Sequence, residues 1–259
     1  MADSMMRWTA VVLAGSRPGA DPFAAERGTD LKALIPVAGV PMVRRPVDAL
    51  LSSDSIADIY VLAQDPERIA EVLPSDPRIR VGRSGATIAE TLLALCADPT
   101  VQWPLLVTTA DHALLDAPMI RDFCSRTGRC DIAIGVVERR QLARKVRHAD
   151  RTWVKFRGGA YSGANLFAFR DRKVAAAIEL WRGVEKDRKK ALKLLWKIGP
   201  TIFWNAVFRR KTLDETLRKV SRKVGVVIRA VEPANPLAAI DVDKTSDLEM
   251  VEQILAARA

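Results

Sequence analysis

The first half of the chain alternates short apolar runs with stretches whose apolar residues recur every three or four positions. Runs at Thr9–Ala14, Ile59–Ala63, Ile79–Val81, Leu105–Thr109 and Ile132–Val137 predict strands. Residues near 43–52, 66–73, 86–97 and 117–126 carry helical periodicity between them. This alternation predicts an α/β fold: a mostly parallel sheet covered by helices on both faces. In such sheets ligands bind beyond the carboxyl ends of the strands. Two loops that follow strands, Gly15–Lys32 and Thr109–Leu115, therefore belong to one edge.

After residue 150 the pattern changes. "TWVKFRGGAYSGANLFAF" (152–169) reads as two strands joined by a glycine-rich turn. Residues 171–223 are helix-rich, "VGVVIRAVE" (224–232) reads as strand, and "SDLEMVEQILAARA" closes the chain as an amphipathic helix. Ser246 or Thr245 is its expected N-cap. No repeat, low-complexity tract or linker divides the sequence. The expectation is one domain over residues 1–259 with a helical insertion at about 171–223.

Composition narrows the class. A hydrophobic fraction of 49% with 28% charged residues is ordinary for a soluble globular protein. The opening "MADSMMRWTAVVLAG" ends its short apolar run in a glycine loop, which is not a signal-peptide pattern. No apolar run reaches the roughly 18 residues of a membrane span. Cys96, Cys124 and Cys130 match no metal spacing and fit a reducing cytoplasm. The net charge of +10 is local, since residues 170–223 hold 17 Lys and Arg against 6 Asp and Glu. The remainder is close to neutral.

Three places could carry chemistry. In the first loop, Gly15 and Gly19 can turn backbone N–H groups toward an anion, with Arg17 between them and Lys32 farther on. Neither named phosphate-loop spacing is present, so an exposed connection with incidental charges fits the same residues. Asp111 ends a strongly apolar strand, where a carboxylate needs a partner such as Mg²⁺ or serves as an N-cap. His112 beside it reads as a loop residue rather than a base. In "AAIDVDKTSDL", Asp241 and Asp243 sit two apart on a short expected strand, and one of them is expected to reach a metal shared with Asp111; the alternative is a polar lead into a helix cap.

Together, "LAGSRPG…LKALIPVAGVPMV", "TTADHALLD", "YSGANLFAF" and "DVDKTSDL" resemble the nucleotidyltransferase family with the molybdenum-cofactor guanylyltransferase-like (MobA-like) fold. The resemblance covers about residues 8–169 and 225–255. It implies a three-layer, Rossmann-like sheet of the nucleotide-diphospho-sugar transferase (GT-A) type. It also implies a reaction: NMP passes from an NTP to a phosphorylated sugar or polyol, and pyrophosphate leaves. The backbone of Ala14, Gly15, Ser16 and Gly19 with Arg17 would hold the triphosphate, and Lys32 would stabilise the reacting phosphoryl group. Asp111 would hold Mg²⁺ with Asp243, or with Asp241 in its place. Gly85 matches the base- and ribose-facing segment, and Lys155, Gly163 and Asn165 fall where acceptor contacts are usual. The sequence departs from the family pattern with "LAGS" for "LAGG", a longer Gly19–Lys32 loop, and "DVDKTSDL" for a "DVDTPEDL"-type motif.

The basic insertion adds a partner question. "KKALKLLWKIGPTIFWNAVFRRK" mixes Trp196, Phe203, Trp204 and Phe208 with lysines and arginines. That composition fits a helical subdomain with solvated charges, and also an anionic membrane surface at the inner membrane face. Nucleic acid is disfavoured, because no recognised binding module is visible. The membrane reading would link the product to lipid headgroup or envelope synthesis and makes CTP the preferred donor. Two rivals remain: a GT-A-type glycosyltransferase using a nucleotide-sugar, and a non-catalytic nucleotide-binding or membrane-docking protein. The run Asp111-His112-Ala113, which lacks D-x-D, argues against the glycosyltransferase.

Overall fold

Strand β1 (Trp8–Leu13) is buried along almost its whole length, as an apolar run must be when helices cover both faces of a sheet. This computed structural model describes residues 7–15, 19, 21–146, 150–185 and 211–258. β1 pairs in parallel with β4 (Ile56–Ala63) on one side and β6 (Leu105–Thr109) on the other. A short hairpin of β2 (Pro36–Val37) and β3 (Val40–Pro41) lies outside the main sheet. β5 (Ile79–Arg83) extends the sheet in parallel beyond β4. On the far side β9 (Gly159–Phe169) runs antiparallel between β6 and β7 (Ile132–Glu138). β10 (Ile228–Val231) pairs in parallel with β7, and β8 (Val154–Phe156) is folded back antiparallel on β9. The order in this eight-stranded sheet is β10-β7-β9-β6-β1-β4-β5, with β8 off that path. The expected mostly parallel α/β sheet is therefore present.

Alternate residues of the strands feed two cores. Ala10, Val12 and Leu106 pack with Val47 and Leu50 of α2 (Arg44–Leu51), Ile120 and Phe123 of α5 (Ala117–Arg126), and Leu248 and Val251 of the closing helix (Thr245–Ala256). Val11, Leu105 and Val107 pack on the other face with Leu92 and Leu95 of α4 (Ile88–Ala97) and Ile178 of α7 (Ala175–Glu185). Each fully buried Val, Leu, Ile or Phe among these contributes roughly 1.5–3 kcal/mol relative to exposure. The expected helices start where cap chemistry places them. Asp65 accepts from Arg68 N ahead of α3 (Pro66–Val72), and Asp116 accepts from Met119 N at 2.8 Å ahead of α5. Shorter α1 (Pro22–Glu26) and α6 (Arg139–Ala143) occupy loops at the carboxyl edge of the sheet.

Three local expectations are corrected. Lys244, not Thr245 or Ser246, occupies the N-cap of the closing helix, α9, and it makes no side-chain cap bond. Asp247 instead turns back to accept from Asp243 N at 3.2 Å, which meets one exposed backbone donor without a cap side chain. Residues 241–243 form no strand, because Val242 N donates to the loop carbonyl of Asp111 at 3.1 Å rather than to a ladder. Strand pairing begins only at Ile228, since helix α8 (Leu213–Val224) runs through Val224 and closes on Gly225 at φ 78°. Within the basic insertion, α7 and α8 are helical as expected. The stretch with Trp196, Phe203, Trp204 and Phe208, on which the membrane expectation rests, lies outside the described residues. Among the described residues no helix is long and apolar enough to cross a membrane.

Candidate active site

The carboxyl ends of β1, β4, β5 and β6 are tied together by backbone hydrogen bonds across the loops that leave them. Ala14 N donates to Leu62 O at 2.9 Å, Ser84 N to Ala63 O at 2.7 Å, and Ala110 N to Leu13 O at 3.0 Å. These bonds bring the first loop, the Gly85 turn and the Asp111 loop to one edge, as a parallel sheet requires. Val242 N, held by Asp111 O, adds the segment before α9.

At the centre of that edge stands Lys32, on a 3₁₀ turn (Lys32–Leu34). Its Nζ donates to Asp111 Oδ2 at 2.7 Å and to Asp243 Oδ1 at 2.5 Å. Residues 79 and 211 positions away in sequence thus meet on one ammonium. Burial disfavours the charge on Lys32, yet Asp111 and Asp243 outweigh it and hold the ammonium above the ordinary lysine range. Thr109 Oγ1 donates to Asp111 Oδ1 at 2.5 Å, so both oxygens of that carboxylate are aimed by neighbours.

Residues two apart on a regular strand would share a face, but residues 241–243 form no strand, and Asp241 has partners of its own. It pairs with Arg151, and its Oδ2 accepts from Asn165 Nδ2 at 2.8 Å. Burial pushes the Asp241 carboxyl above its usual range, against the pull of Arg151. Asn165 holds its amide there from a left-handed backbone, φ 46°, a conformation that Asn tolerates better than other side chains. Each oxygen of Asp241 is thus engaged by a protein partner, whereas Asp243 is 65% exposed at its side chain.

The other expected residues spread along the same edge. Ala14 and Gly15 follow β1; Gly19 is left-handed at φ 106°, whereas Gly15 is not. Ser16 and Arg17 lie outside the described residues. Gly85 N donates to Thr91 Oγ1 at 3.0 Å in the turn between β5 and α4. Gly163 lies on β9 opposite Val136 and is exposed, and Lys155 on β8 is exposed opposite Ala160 of β9. Lys155 has no described contact with Asp111, Asp241 or Asp243. Asp111 does not cap α5, since Asp116 does. Arg151 and Thr109 were not singled out from the sequence. Nothing local marks Arg151, 90 residues from its partner, whereas Thr109 at the end of the Asp111 strand was open to inspection.

A family model described as a MobA-like NTP transferase domain matches residues 10–225. The chain belongs to that family. As a MobA-like NTP transferase it is a nucleotidyltransferase in class, and solved structures agree with its fold. A hypothetical transferase from Thermus thermophilus is 26% identical, with a TM-score of 0.78, over 94% of this chain and 100% of the other. A CMP:2-keto-3-deoxy-manno-octonic acid synthetase complexed with CTP shares the fold at 13% identity, TM-score 0.61, over 97% and 100% of the two chains. So does a 4-diphosphocytidyl-2C-methyl-D-erythritol synthase from Anaerococcus prevotii, at 12% identity and TM-score 0.61, over 97% and 99%. Among curated proteins the sequence finds no match.

Proposed function

We propose that this MobA-like transferase moves NMP from an NTP to a phosphorylated sugar or polyol and releases pyrophosphate. The observation that carries this reading is the meeting of Lys32, Asp111 and Asp243 on one edge of the sheet. Among the described residues no group of three or more His, Cys, Asp or Glu forms a metal cage. Two carboxylates that already share one small cation nevertheless suit Mg²⁺, which is usually bound by one or two carboxylates and the substrate's phosphates. Asp111 and Asp243 would hold the ion, which when bound neutralises charge on the nucleotide phosphates. Asp241 is set aside as a ligand because Arg151 and Asn165 occupy it.

The remaining work is done by positioning and charge, as phosphoryl transfer needs little covalent help from protein. Lys32 offsets half the charge of the two carboxylates and, on a flexible stem, can turn its ammonium to an α-phosphate oxygen. Gly15 and Gly85 line the β1–β4–β5 side of the edge, which suits the nucleotide. Gly163 and Asn165 lie on β9 on the opposite side of Asp111, which suits the acceptor. A phosphate oxygen of the acceptor attacks the α-phosphorus from that side, the α–β bridging bond breaks, and pyrophosphate departs with the electron pair. CTP is the preferred donor, because lipid and polyol headgroups are commonly activated as CDP derivatives and the names of two fold relatives carry a cytidine group. A nucleotide-sugar glycosyltransferase is less well supported, since position 113, where D-x-D needs a carboxylate, is buried Ala113.

Thermal stabilisation by each of the four NTPs with Mg²⁺ tests this. A ligand that binds only the folded state stabilises it by about 2.7 kcal/mol at a hundred times its Kd. We expect one NTP to raise Tm by several degrees and Asp111→Ala to remove most of that rise. No rise with any NTP at millimolar concentration would overturn the reading.

A further inference from the structure

The amino-terminal edge of the sheet, opposite the candidate active site, holds a cavity of about 540 Å³. It lies where β1 begins at Trp8, where Pro104 leads into β6, and where the carboxyl half of α5 passes over the sheet. The six-residue length of β1 separates it from Ala14 and Gly15 by roughly 20 Å, at about 3.3 Å per strand residue. A volume of this size is within the ordinary range for small-molecule sites.

Its lining joins buried or half-buried apolar groups to exposed cations. Trp8, Pro104, Cys124 and Cys130 line the interior. Burial pushes the Cys124 thiol up to about 12, and Cys130 donates its thiol hydrogen to Thr127 O at 3.0 Å. Both sulfurs are therefore neutral wall atoms. Arg121 and Arg170 also line the cavity and are exposed. Asp122, a carboxylate of the same lining, does not neutralise them. Its Oδ1 accepts from Arg126 at 2.6 Å and its Oδ2 from Ala234 N at 2.8 Å. Among the described residues neither Arg121 nor Arg170 has a carboxylate within ion-pair distance.

We infer that this cavity is a second binding site, for a small organic anion whose apolar body fills the space between Trp8 and Cys124 while its charged group meets Arg121 and Arg170. Such a ligand gains from both halves of the cavity: apolar surface leaves water, and a planar guanidinium pairs with a carboxylate, sulfonate or phosphate oxygen. The charged pairing at the exposed rim orients the ligand, and the apolar interior supplies most of the affinity. A nucleoside triphosphate, with a hydroxylated sugar and several charged phosphates, is a poor match for the interior, which makes this site chemically distinct from the carboxyl edge.

Anilinonaphthalene sulfonate is a suitable probe, because it joins an apolar aromatic body to one anionic group and fluoresces when its rings leave water. Titration of the full-length protein under native conditions should give saturable binding of one equivalent. Arg121→Gln with Arg170→Gln should weaken it at least tenfold. Ser125→Trp, on an exposed helix position that lines the cavity, should abolish it. Asp111→Asn should leave it unchanged, and each variant is to keep the wild-type Tm within a few degrees. The proposal is overturned if the wild type shows no saturable binding. It is equally overturned if Ser125→Trp binds as the wild type does, or if NTP competes with the probe.

Discussion

His112 shows how far a residue's surroundings can move it from the chemistry its identity suggests. It neighbours Asp111, yet it is fully buried, with Nδ1 3.1 Å from Thr108 Oγ1 and Nε2 without a hydrogen-bond partner among the described residues. Burial pushes its pKa down to about 4, against a smaller upward pull from Asp111. In the unfolded chain the same ring titrates near 6.5. Between those values the unfolded state binds the extra proton, so stability falls as pH drops from about 6.5 toward 4, by up to about 3 kcal/mol. Urea midpoints at pH 7 and pH 5 should show that loss in the wild type and a smaller one in His112→Gln. Equal losses would remove His112 as its source. Candidate residues were legible one by one at this scale, but their partners were not. That Lys32 meets both Asp111 and Asp243, and that Arg151 takes Asp241, follows from loops brought together across the sheet.

Elements were legible wherever periodicity and cap chemistry agreed. The turn from β5 into α4 illustrates it. Thr87 accepts from Glu90 N at 3.1 Å as N-cap, while Thr91 Oγ1 donates to Thr87 O at 2.9 Å and accepts from Gly85 N. A Cβ on Gly85 would lie 2.9 Å from Glu90 Cβ and 3.1 Å from the Thr91 backbone nitrogen, so the loop packs on the helix only with glycine there. Gly85→Ala should lower stability by about 1–3 kcal/mol, the usual cost of overpacking, read from chemical denaturation. If the alanine protein unfolds at the wild-type midpoint, the packing argument fails. Elements were misread where local propensity was silent. Ser221 Oγ accepts from Ile228 N at 2.8 Å, which ties the end of α8 to the start of β10 and moves the strand boundary past Gly225. No single-segment pattern contains that bond.

For the molecule as a whole, one sheet runs uninterrupted from β10 to β5, and both cores draw on the same strands. β1 supplies Ala10 and Val12 to one core and Val11 to the other, so neither layer can open without exposing the shared strand. We expect a single cooperative unfolding transition in urea, with tryptophan fluorescence and far-ultraviolet circular dichroism coincident. Two separated midpoints would divide the chain into independently folding parts. The surplus positive charge belongs to residues 170–223.

By itself the sequence determined the α/β alternation, the positions of the expected sheet strands to within a few residues, and the residue types gathered at the carboxyl edge. Those features depend on neighbours a few positions apart: side-chain period, cap chemistry, and the cost of ending an apolar strand in a carboxylate. Only the tertiary structure decided which of Asp241 and Asp243 faces Lys32, that β9 runs antiparallel through a mostly parallel sheet, and that a cavity opens at the opposite edge. Each of these depends on contacts between segments tens to hundreds of residues apart, and a linear pattern does not encode which distant surfaces meet.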